Sequence, residues 1–317
     1  RNSAISLDKK AIANLCHRQF GIGADGLMLL QSKVGYDFEM VYYNSDGNES
    51  TFCGNGSRCI VAFAKHIGVI TGNETNFIAT DGKHQAKIKD NIVSVKMKDV
   101  QNLELVDGNY VLDTGSPHFV KFTEGVKTAD MITEGRKVRY SDAYKTDGIN
   151  VNLAEKNGKG IYVRTYERGV ENETLSCGTG VTATAIASAV KGVATSTDSC
   201  NIITPGGELL VSFNREEGNS FSNIWLEGPA IFVFKGEIAD ELPSGLHELS
   251  EGNVPILSRL VGFKYFFESK FRGEIWFFST QEFAGRRWGT SSPFLSTFGE
   301  LGSVPLRAYG NYNLKIS

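Results

Sequence analysis

The sequence lacks the features that mark several large classes of protein. No apolar run approaches the roughly 20 residues that a membrane-spanning helix needs, and we expect no membrane segment. Lysine and arginine total 33 against 36 aspartate and glutamate, so the net charge of -3 at pH 7 offers no basic surface for nucleic acid. The five histidines show no metal-ligand spacing, which argues against a bound metal.

Cysteine is scarce and irregularly placed. The five cysteines are an odd number and include no C-x-x-C pair, which argues against a disulfide scaffold and against a zinc ribbon. Residues 1–20 do not have the charged and then apolar pattern of a secretory signal. A reducing cytosol fits these cysteines best, and we expect a cytoplasmic protein. At 317 residues with 41% hydrophobic content, the chain is long enough for two domains with separate cores.

An internal repeat is the clearest pattern in the chain. Residues 38–68 and 161–192 each contain a strand-like run, a polar loop, a C-G-x-G turn and an apolar stretch closed by glycine. The match continues downstream, where residues 80–99 and 204–228 each contain a threonine, a turn with glycine and two alternating strands. The paired positions in the turns and at the closing glycines are Cys53 with Cys177, Gly54 with Gly178, Gly56 with Gly180, and Gly68 with Gly192.

The repeat predicts an α+β fold of two pseudo-symmetric domains. We expect each domain to wrap a mainly antiparallel sheet around one central helix, because the second helix, about residues 181–191, has so few polar side chains that it requires burial on nearly every side. A further helix, roughly 7–19 with Ser6 as its N-cap, is expected to cover the first sheet. We expect an N-terminal domain at 1–108, a C-terminal domain at 109–238 and an unassigned aromatic-rich tail at 239–317.

Both C-G-x-G turns have the composition of an anion site. Each cysteine lies just before a helix N-terminus, and the glycines leave several N–H groups free to point at a carboxylate. The same field favours a thiolate, so we expect either cysteine to have a pKa below the usual value of about 8.5. If a pseudo-twofold axis relates the domains, the turns face one another across an interdomain cleft, with the sulfurs on opposite faces of one carbon. One thiolate and one thiol can then invert an α-carbon without a cofactor.

The two cysteines indicate a function only when they are considered as a pair. A single cysteine before a helix is more simply explained as a small buried hydrophobe. Two cysteines in matching C-G-x-G turns favour the functional interpretation instead. Cys16, Cys59 and Cys200 have no matching partner, and we interpret all three as structural.

Several separate segments of the sequence resemble diaminopimelate epimerases, and they occur in that family's order. They are RQFGIGADGL (18–27), YYNSDGNESTFCGNGSRC (42–59), GSPHFV (115–120), GINVNLA (148–154), RTYERGVENETLSCGTG (164–180) and PGGEL (205–209). The resemblance covers about residues 1–238 and implies a cofactor-independent isomerase, which interconverts LL- and meso-diaminopimelate for lysine and peptidoglycan synthesis. The family's two catalytic cysteines fall on Cys53 and Cys177. We also expect a homodimer.

The resemblance implies two further groups of substrate contacts. Backbone N–H groups would hold the carboxylate of the reacting centre, at Gly54, Asn55, Gly178 and Thr179. Three side chains would contact the distal carboxylate and amine: Asn44, Asn150 and Arg168. A guanidinium suits a planar carboxylate because it donates two parallel hydrogen bonds.

Three more residues receive roles from the same resemblance. Glu167 would hold the distal ammonium or tune the neighbouring thiol. His118 would lie near Cys53 as an orienting or pKa-setting partner. Ser116 stands where many members have asparagine, and a hydroxyl there still reaches the substrate directly or through water.

The two ends of the chain depart from the family. Members begin with a strand and a G-x-G-N-D-F loop that have no match before Arg1, so we expect part of the active-site floor to be missing and activity to be weak or absent. Residues 241–317 hold nine of the 20 phenylalanines and show no sustained helical or alternating period. This tail is an interaction segment, a disordered extension or sequence foreign to the native gene product, and we favour the last.

Two other functions stay open. Proline racemases and hydroxyproline epimerases use paired cysteines on a similar fold, but they typically have C-G-H-G where this chain has C-G-N-G. A redox or binding protein with a reversible Cys53–Cys177 disulfide is the alternative from another class. Such a protein works as the disulfide, whereas an epimerase is inactive when oxidised and recovers with reductant.

Overall fold

The structure is a computed structural model, which describes residues 7–50, 53–158 and 160–239 and five strand segments between residues 272 and 312. The α-helices in these residues are α1 (Lys9–Cys16), α2 (Gly54–His66), α3 (Met131–Arg139) and α4 (Gly178–Lys191). Short 3₁₀ helices span Val126–Thr128 and Glu217–Asn219. Within the described residues, no helix combines the length and the apolar character needed to cross a membrane.

Strands account for most of the remaining regular structure. In the first half of the sheet they are β1 (Gly26–Gln31), β2 (Phe38–Asn44), β3 (Glu49–Ser50), β4 (Glu74–Ala79), β5 (Gly82–Lys89) and β6 (Ile92–Lys96). In the second half they are β7 (Leu103–Val106), β8 (Asn109–Asp113), β9 (Pro117–Phe122), β10 (Asn150–Asn157), β11 (Gly160–Glu167), β12 (Asn172–Thr174), β13 (Ser199–Thr204), β14 (Gly207–Arg215) and β15 (Phe221–Pro229). The last are β16 (Ile231–Ala239), β17 (Arg272–Ser279), β18 (Arg286–Gly289), β19 (Phe294–Phe298), β20 (Gly302–Leu306) and β21 (Tyr309–Tyr312).

One large sheet joins the first 15 of these strands. Its order is β1-β2-β4-β5-β6-β15-β14-β13-β11-β10-β9-β8-β7, with β3 paired to β2 and β12 paired to β11. The fold is therefore mixed α+β, with a large sheet and few helices in the described residues, as the sequence predicted. The chain divides into two compact units, one up to residue 280 and one from residue 281.

The two copies of the repeat have the same strand connectivity. In the first copy, the hairpin β1–β2 leads through β3 and α2 to β4, which pairs parallel to β2 through Phe38 and Phe77. In the second, the hairpin β10–β11 leads through β12 and α4 to β13, which pairs parallel to β11 through Ile161 and Ile202. Each copy ends in an antiparallel meander, and β6 pairs with β15 to join them. The predicted alternating strands after residues 80 and 204 are thus confirmed.

The boundaries of α2 and α4 follow from their first and last residues. Each begins directly after a cysteine in extended backbone, with φ of -124° at Cys53 and -111° at Cys177. Each is followed by a glycine in the left-handed region, with φ of 75° at Gly68 and 77° at Gly192. Residues with side chains seldom adopt this conformation, so the glycines end the helices where the sequence predicted.

The first helix is shorter than predicted. It spans Lys9–Cys16 rather than 7–19, and its N-cap is Asp8, whose carboxylate accepts a hydrogen bond of 2.7 Å from the Ala11 N–H. The prediction of Ser6 as N-cap is wrong, because the Asp8 carboxylate provides this cap two residues later. Ser6 itself lies outside the described residues.

Two separate apolar cores lie against the two long helices. One contains Ile60 and Val61 of α2 and is closed by β2, β4, β5 and β6. The other contains Val181 and Ile186 of α4, which contacts strands on several sides, among them β8, β9, β13, β14 and β15. All of α4 from Gly180 to Ala189 is buried, as its lack of charge predicted.

The tail contains strands that its sequence did not predict. Strand β17 pairs antiparallel with β16, which is the last strand before the tail. In the second compact unit, β18 pairs with β21 and β19 pairs with β20. The sequence of the tail shows no sustained alternating period, so these strands were not predicted from it. Residues 240–271 lie outside the described part of the chain.

Packing around α4 predicts a large difference between two valine truncations. Val181 is fully buried, whereas Val34 is 99% exposed. We expect Val181→Ala to lower the free energy of unfolding by about 2 kcal/mol, because it removes buried methyl groups and leaves a cavity. Val34→Ala should change it by less than about 0.5 kcal/mol. Urea unfolding of both variants tests this, and equal effects would contradict the burial of α4.

Candidate active site

The N-termini of α2 and α4 meet at their glycines. A Cβ atom on Gly178 would lie 3.1 Å from the Cα of Gly54, and one on Gly54 would lie 3.3 Å from the Cα of Gly178. Across this junction, the side-chain amide of Asn55 donates a 2.8 Å hydrogen bond to the backbone oxygen of Ser176. The two turns that follow Cys53 and Cys177 are therefore direct neighbours, although 124 residues separate the cysteines.

Cys53 has hydrogen-bond partners from two elements. Its sulfur accepts from the backbone N–H of Gly56 at 3.4 Å, and the hydroxyl of Tyr42 from β2 is hydrogen-bonded to the same sulfur. Burial raises the pKa of Cys53, and the negative charge of Glu167 adds to this, while the Gly56 N–H acts in the opposite direction. Burial also raises the pKa of Tyr42, as does the proximity of Cys53.

Cys177 is the more buried of the two thiols. Its sulfur lies 3.4 Å from the hydroxyl of Thr179. Burial raises the pKa of Cys177 to about 12, with a further contribution from Glu167, while hydrogen bonds from Thr179 and from the Gly180 N–H lower it. The expectation that the cysteines are more acidic than usual is wrong for this structure, because desolvation outweighs the helix N-terminus at both sulfurs.

A chain of buried polar side chains leads to Cys177. Asn152 on β10 accepts from the hydroxyl of Thr165 at 2.9 Å and donates to the backbone oxygen of Phe119 at 3.0 Å. Because these two bonds fix the orientation of the amide, its nitrogen also donates to Nδ1 of His118, at 3.1 Å. His118 then carries its proton on Nε2, which lies 2.8 Å from Oγ1 of Thr179.

This chain fixes the direction of the last hydrogen bond. Burial lowers the pKa of His118 to about 3, so the ring is neutral at physiological pH and has only one N–H to donate. Thr179 accepts that N–H and keeps its own hydroxyl proton to donate to the sulfur of Cys177. The sequence placed His118 beside Cys53, but its hydrogen bonds lead to Cys177.

Hydrogen bonds join three of the residues expected to contact the substrate, Asn150, Ser116 and Arg168. The side-chain amide of Asn150 donates to the hydroxyl of Ser116 at 2.8 Å, and its oxygen accepts from the backbone N–H of Arg168, also at 2.8 Å. The exposed guanidinium of Arg168 reaches the same hydroxyl at 3.4 Å. Glu167 precedes Arg168 at the end of β11, and burial raises the pKa of its carboxyl. Asn44 lies at the exposed end of β2.

Four polar residues of this region were not predicted: Tyr42, Arg58, Asn152 and Thr165. Asn152 lies two residues after Asn150 on a buried strand, so both side chains point to the same face of the sheet. This polar spacing is a signal that could have identified Asn152. Arg58 is a charged residue within an apolar helix, which is a second usable signal. The roles of Tyr42 and Thr165 depend on contacts that no local pattern reveals.

Burial of His118 predicts a pH dependence of stability. Its pKa falls from 6.5 to about 3 on folding, so the unfolded chain binds a proton that the folded chain does not. The contribution of neutral His118 to stability is present above pH 6.5 and is lost as the pH falls towards 3. When the pH is lowered from 7 to 4.5, we expect the free energy of unfolding of the parent to fall by about 2 kcal/mol more than that of His118→Gln. Urea unfolding at the two pH values measures it, and a constant difference would contradict the buried, neutral ring.

Comparison with solved structures identifies the fold. A Bacillus anthracis phenazine biosynthesis protein of the PhzF family superposes with a TM-score of 0.50 at 12% identity, over 65% of this chain and 81% of that one. A predicted epimerase of Pseudomonas aeruginosa gives the same TM-score at 14% identity, over 72% of this chain and 87% of that one. At this identity the likeness concerns the fold alone.

Comparison with sequence families separates the end of the chain from the rest. Residues 224–317 match the SPFH domain-Band 7 family. Residues 2–103 and 110–233 match the diaminopimelate epimerase family. The diaminopimelate epimerase of Flavobacterium psychrophilum is 52% identical over 229 residues, which are 72% of this chain and 88% of the relative. That of Chlorobaculum tepidum is 37% identical over 247 residues, or 75% of this chain and 94% of the relative. The chain therefore belongs to the diaminopimelate epimerase family.

Proposed function

We propose that this chain epimerises diaminopimelate at one α-carbon, with Cys53 and Cys177 as the acid–base pair. The observation that carries the proposal is the junction of two helix N-termini, each preceded by a cysteine, in a chain of this family. One thiolate takes the α-proton, so that its S–H bond forms as the C–H bond breaks. The thiol on the other side then gives its proton to the opposite face of the carbon, and the two sulfurs have exchanged roles.

The helix N-termini stabilise the intermediate of this reaction. Removal of the α-proton places negative charge on the adjoining carboxylate, and the first N–H groups of a helix have no acceptor within the helix. In the proposal these donors come from both helices: Gly54, Asn55, Gly178 and Thr179. Because the helices meet at their glycines, one carboxylate receives N–H groups from each.

The distal end of the substrate carries a second ammonium and a second carboxylate. We assign the carboxylate to the guanidinium of Arg168, supported by the hydroxyl of Ser116, with which it shares a hydrogen bond. Asn150 holds Ser116 and the Arg168 backbone in place, and Asn44 supplies a further polar side chain. Glu167 contributes negative charge for the ammonium and acts on both thiols.

The thiols receive different support in this scheme. The hydroxyl of Thr179 donates to the thiolate of Cys177, and His118 acts through Thr179 as a positioning residue. The hydroxyl of Tyr42 is the corresponding partner of Cys53. Hydrogen bonds to a charged acceptor are about twice as strong as neutral ones, so both hydroxyls favour the charged form of a sulfur that burial disfavours.

We propose a two-domain organisation for the part of the chain that contains the site. The matched connectivity around α2 and α4 supports two pseudo-symmetric domains, at 1–108 and 109–238, with the active site in the cleft between them. The tail from residue 239 stays unassigned in this scheme. We also propose a cytoplasmic homodimer that needs no cofactor. Free thiols at all five cysteines suit a reducing compartment.

Cysteine substitutions test the acid–base pair. We expect Cys53→Ser and Cys177→Ser each to lower the rate of epimerisation on the order of 10³-fold, because a serine hydroxyl is a far weaker acid than a thiol and is hardly ever ionised to act as a base. Chiral separation of the LL and meso isomers measures the rate. Cys200→Ala is the control, since Cys200 is buried in β13 within the α4 core.

The same variants distinguish the alternatives. Unchanged turnover in either serine variant would contradict a mechanism that needs both thiols. Activity that requires the oxidised chain and disappears with reductant would instead support a Cys53–Cys177 redox protein.

A matched pair of substitutions tests the hydroxyl beside Cys177. We expect Thr179→Val to lower the epimerisation rate by about tenfold to a hundredfold, because it keeps the shape but removes a hydrogen bond to the thiolate. Thr179→Ser retains the hydroxyl and should recover most of the loss. Equal rates in the two variants, measured by the same chiral separation, would show that the hydroxyl has no part in the reaction.

A further inference from the structure

Arg58 lies on α2 five residues after Cys53, and its environment is unusual for a charged side chain. It is 1% exposed and is the largest fully buried side chain among the residues whose burial the structure describes. Among the residues whose burial the structure describes, no other arginine or lysine is buried. A buried charge is normally paired with an opposite charge, because removal from water is costly.

The partners of Arg58 do not neutralise it. Its Nη1 donates to the backbone oxygen of Gly54 at 3.3 Å, and its Nη2 donates to the side-chain oxygen of Asn55 at 2.9 Å. Its Nε is buried and has no hydrogen-bond partner in the described part of the chain. Burial lowers the pKa of Arg58 to about 10, and negative charge on Cys59 or Cys53 acts in the opposite direction.

Gly228 of strand β15 lies against Leu209 and the guanidinium. A Cβ atom at Gly228 would overlap Cδ2 of Leu209 and would lie 3.3 Å from Nε of Arg58 and 3.5 Å from Cζ of Arg58. The guanidinium therefore packs against bare backbone at this position, where it gains no acceptor. A guanidinium that is buried with only neutral acceptors keeps its positive charge available to the site nearby.

The second copy of the repeat shows that the helix itself does not need this charge. The position that matches Arg58 is Thr182, counted from the paired cysteines. The Thr182 hydroxyl donates to the backbone oxygen of Gly178 at 3.0 Å, as Arg58 donates to that of Gly54. A neutral side chain thus serves the same carbonyl in α4, and the charge in α2 is additional.

We propose that Arg58 is the buried counter-charge of the active site: it offsets the negative charge that forms on Cys53 and holds Asn55 across the junction with Ser176. Arg58 is a positioning residue in this role, since it acts through Cys53 and Asn55. The inference rests on the proposed acid–base role of Cys53. It gives the two thiols different means of support, a charge for Cys53 and the donated hydroxyl of Thr179 for Cys177.

The titratable groups that face Cys53 from neighbouring elements do not supply this charge. They are Tyr42 from β2, Glu167 from β11 and Cys177 from α4, together with Cys59 on α2 itself. None of these is a cation. The lysines of β5 alternate with the core residues Ala86 and Ile88 and so lie on the other face of the sheet. On β15, the carboxylate of Glu227 accepts from Ser94.

The test is the pH dependence of thiol alkylation, which requires no substrate. Purified full-length chain is treated with iodoacetamide across a pH series, and peptide mass spectrometry gives the rate at Cys53 and at Cys177 separately. We compare the parent with Arg58→Met, Arg58→Gln and Arg58→Lys. In the two neutral variants we expect the midpoint for Cys53 to rise by about 1 pH unit or more and that for Cys177 to rise less. Arg58→Lys keeps the charge and should stay near the parent.

Each contrary result overturns the proposal. An unchanged midpoint at Cys53, or an equal rise at both cysteines, would show that the charge does not act on Cys53. An equal rise in Arg58→Lys and Arg58→Met would assign the effect to hydrogen-bond geometry. Loss of folding in both neutral variants would also contradict it, because the charge must be dispensable for the fold. An epimerisation rate in Cys53→Ser equal to that of the parent would refute the proposed acid–base role of Cys53 while leaving the alkylation result intact.

Discussion

The close contact between Gly54 and Gly178 is the constraint on which the site depends. Any side chain at either position would begin 3.1–3.3 Å from the Cα of the opposite glycine, which is tighter than most Cβ contacts, so a larger residue would push the two helix N-termini apart. Because α2 and α4 each begin directly after a cysteine, this one contact places both sulfurs at once. The bond from Asn55 to Ser176 holds the junction from the side.

The two halves of the site solve one electrostatic problem differently. Burial disfavours a thiolate at both cysteines, although the proposed acid–base mechanism needs one of them in that form. Around Cys177, a neutral His118 held by Asn152 leaves the Thr179 hydroxyl free to donate to the sulfur. Around Cys53, the described side chains include a tyrosine hydroxyl and a buried guanidinium.

Local patterns in the sequence predicted the cysteines and glycines that position this site, but not the hydrogen bonds between its buried side chains. The cysteines, the glycines that follow them and the closing Gly68 and Gly192 could be predicted because each depends on its own turn or helix end. The pairing of His118 with Thr179 could not, since it joins side chains 61 residues apart. The acidity of the thiols was predicted wrongly because burial is a property of the folded chain. Strand β17 escaped prediction because its partner, β16, precedes it by more than 30 residues.

The central claim is that two different thiols act on opposite faces of one carbon. It is tested most directly by epimerisation in deuterium oxide. The reaction is stopped when only a small fraction of the substrate has been converted. Thiols exchange their protons with solvent, so the account predicts deuterium at the α-carbon of the newly formed isomer and almost none in the recovered starting isomer. Return of the original hydrogen to the product would indicate one base that serves both faces and would contradict the account.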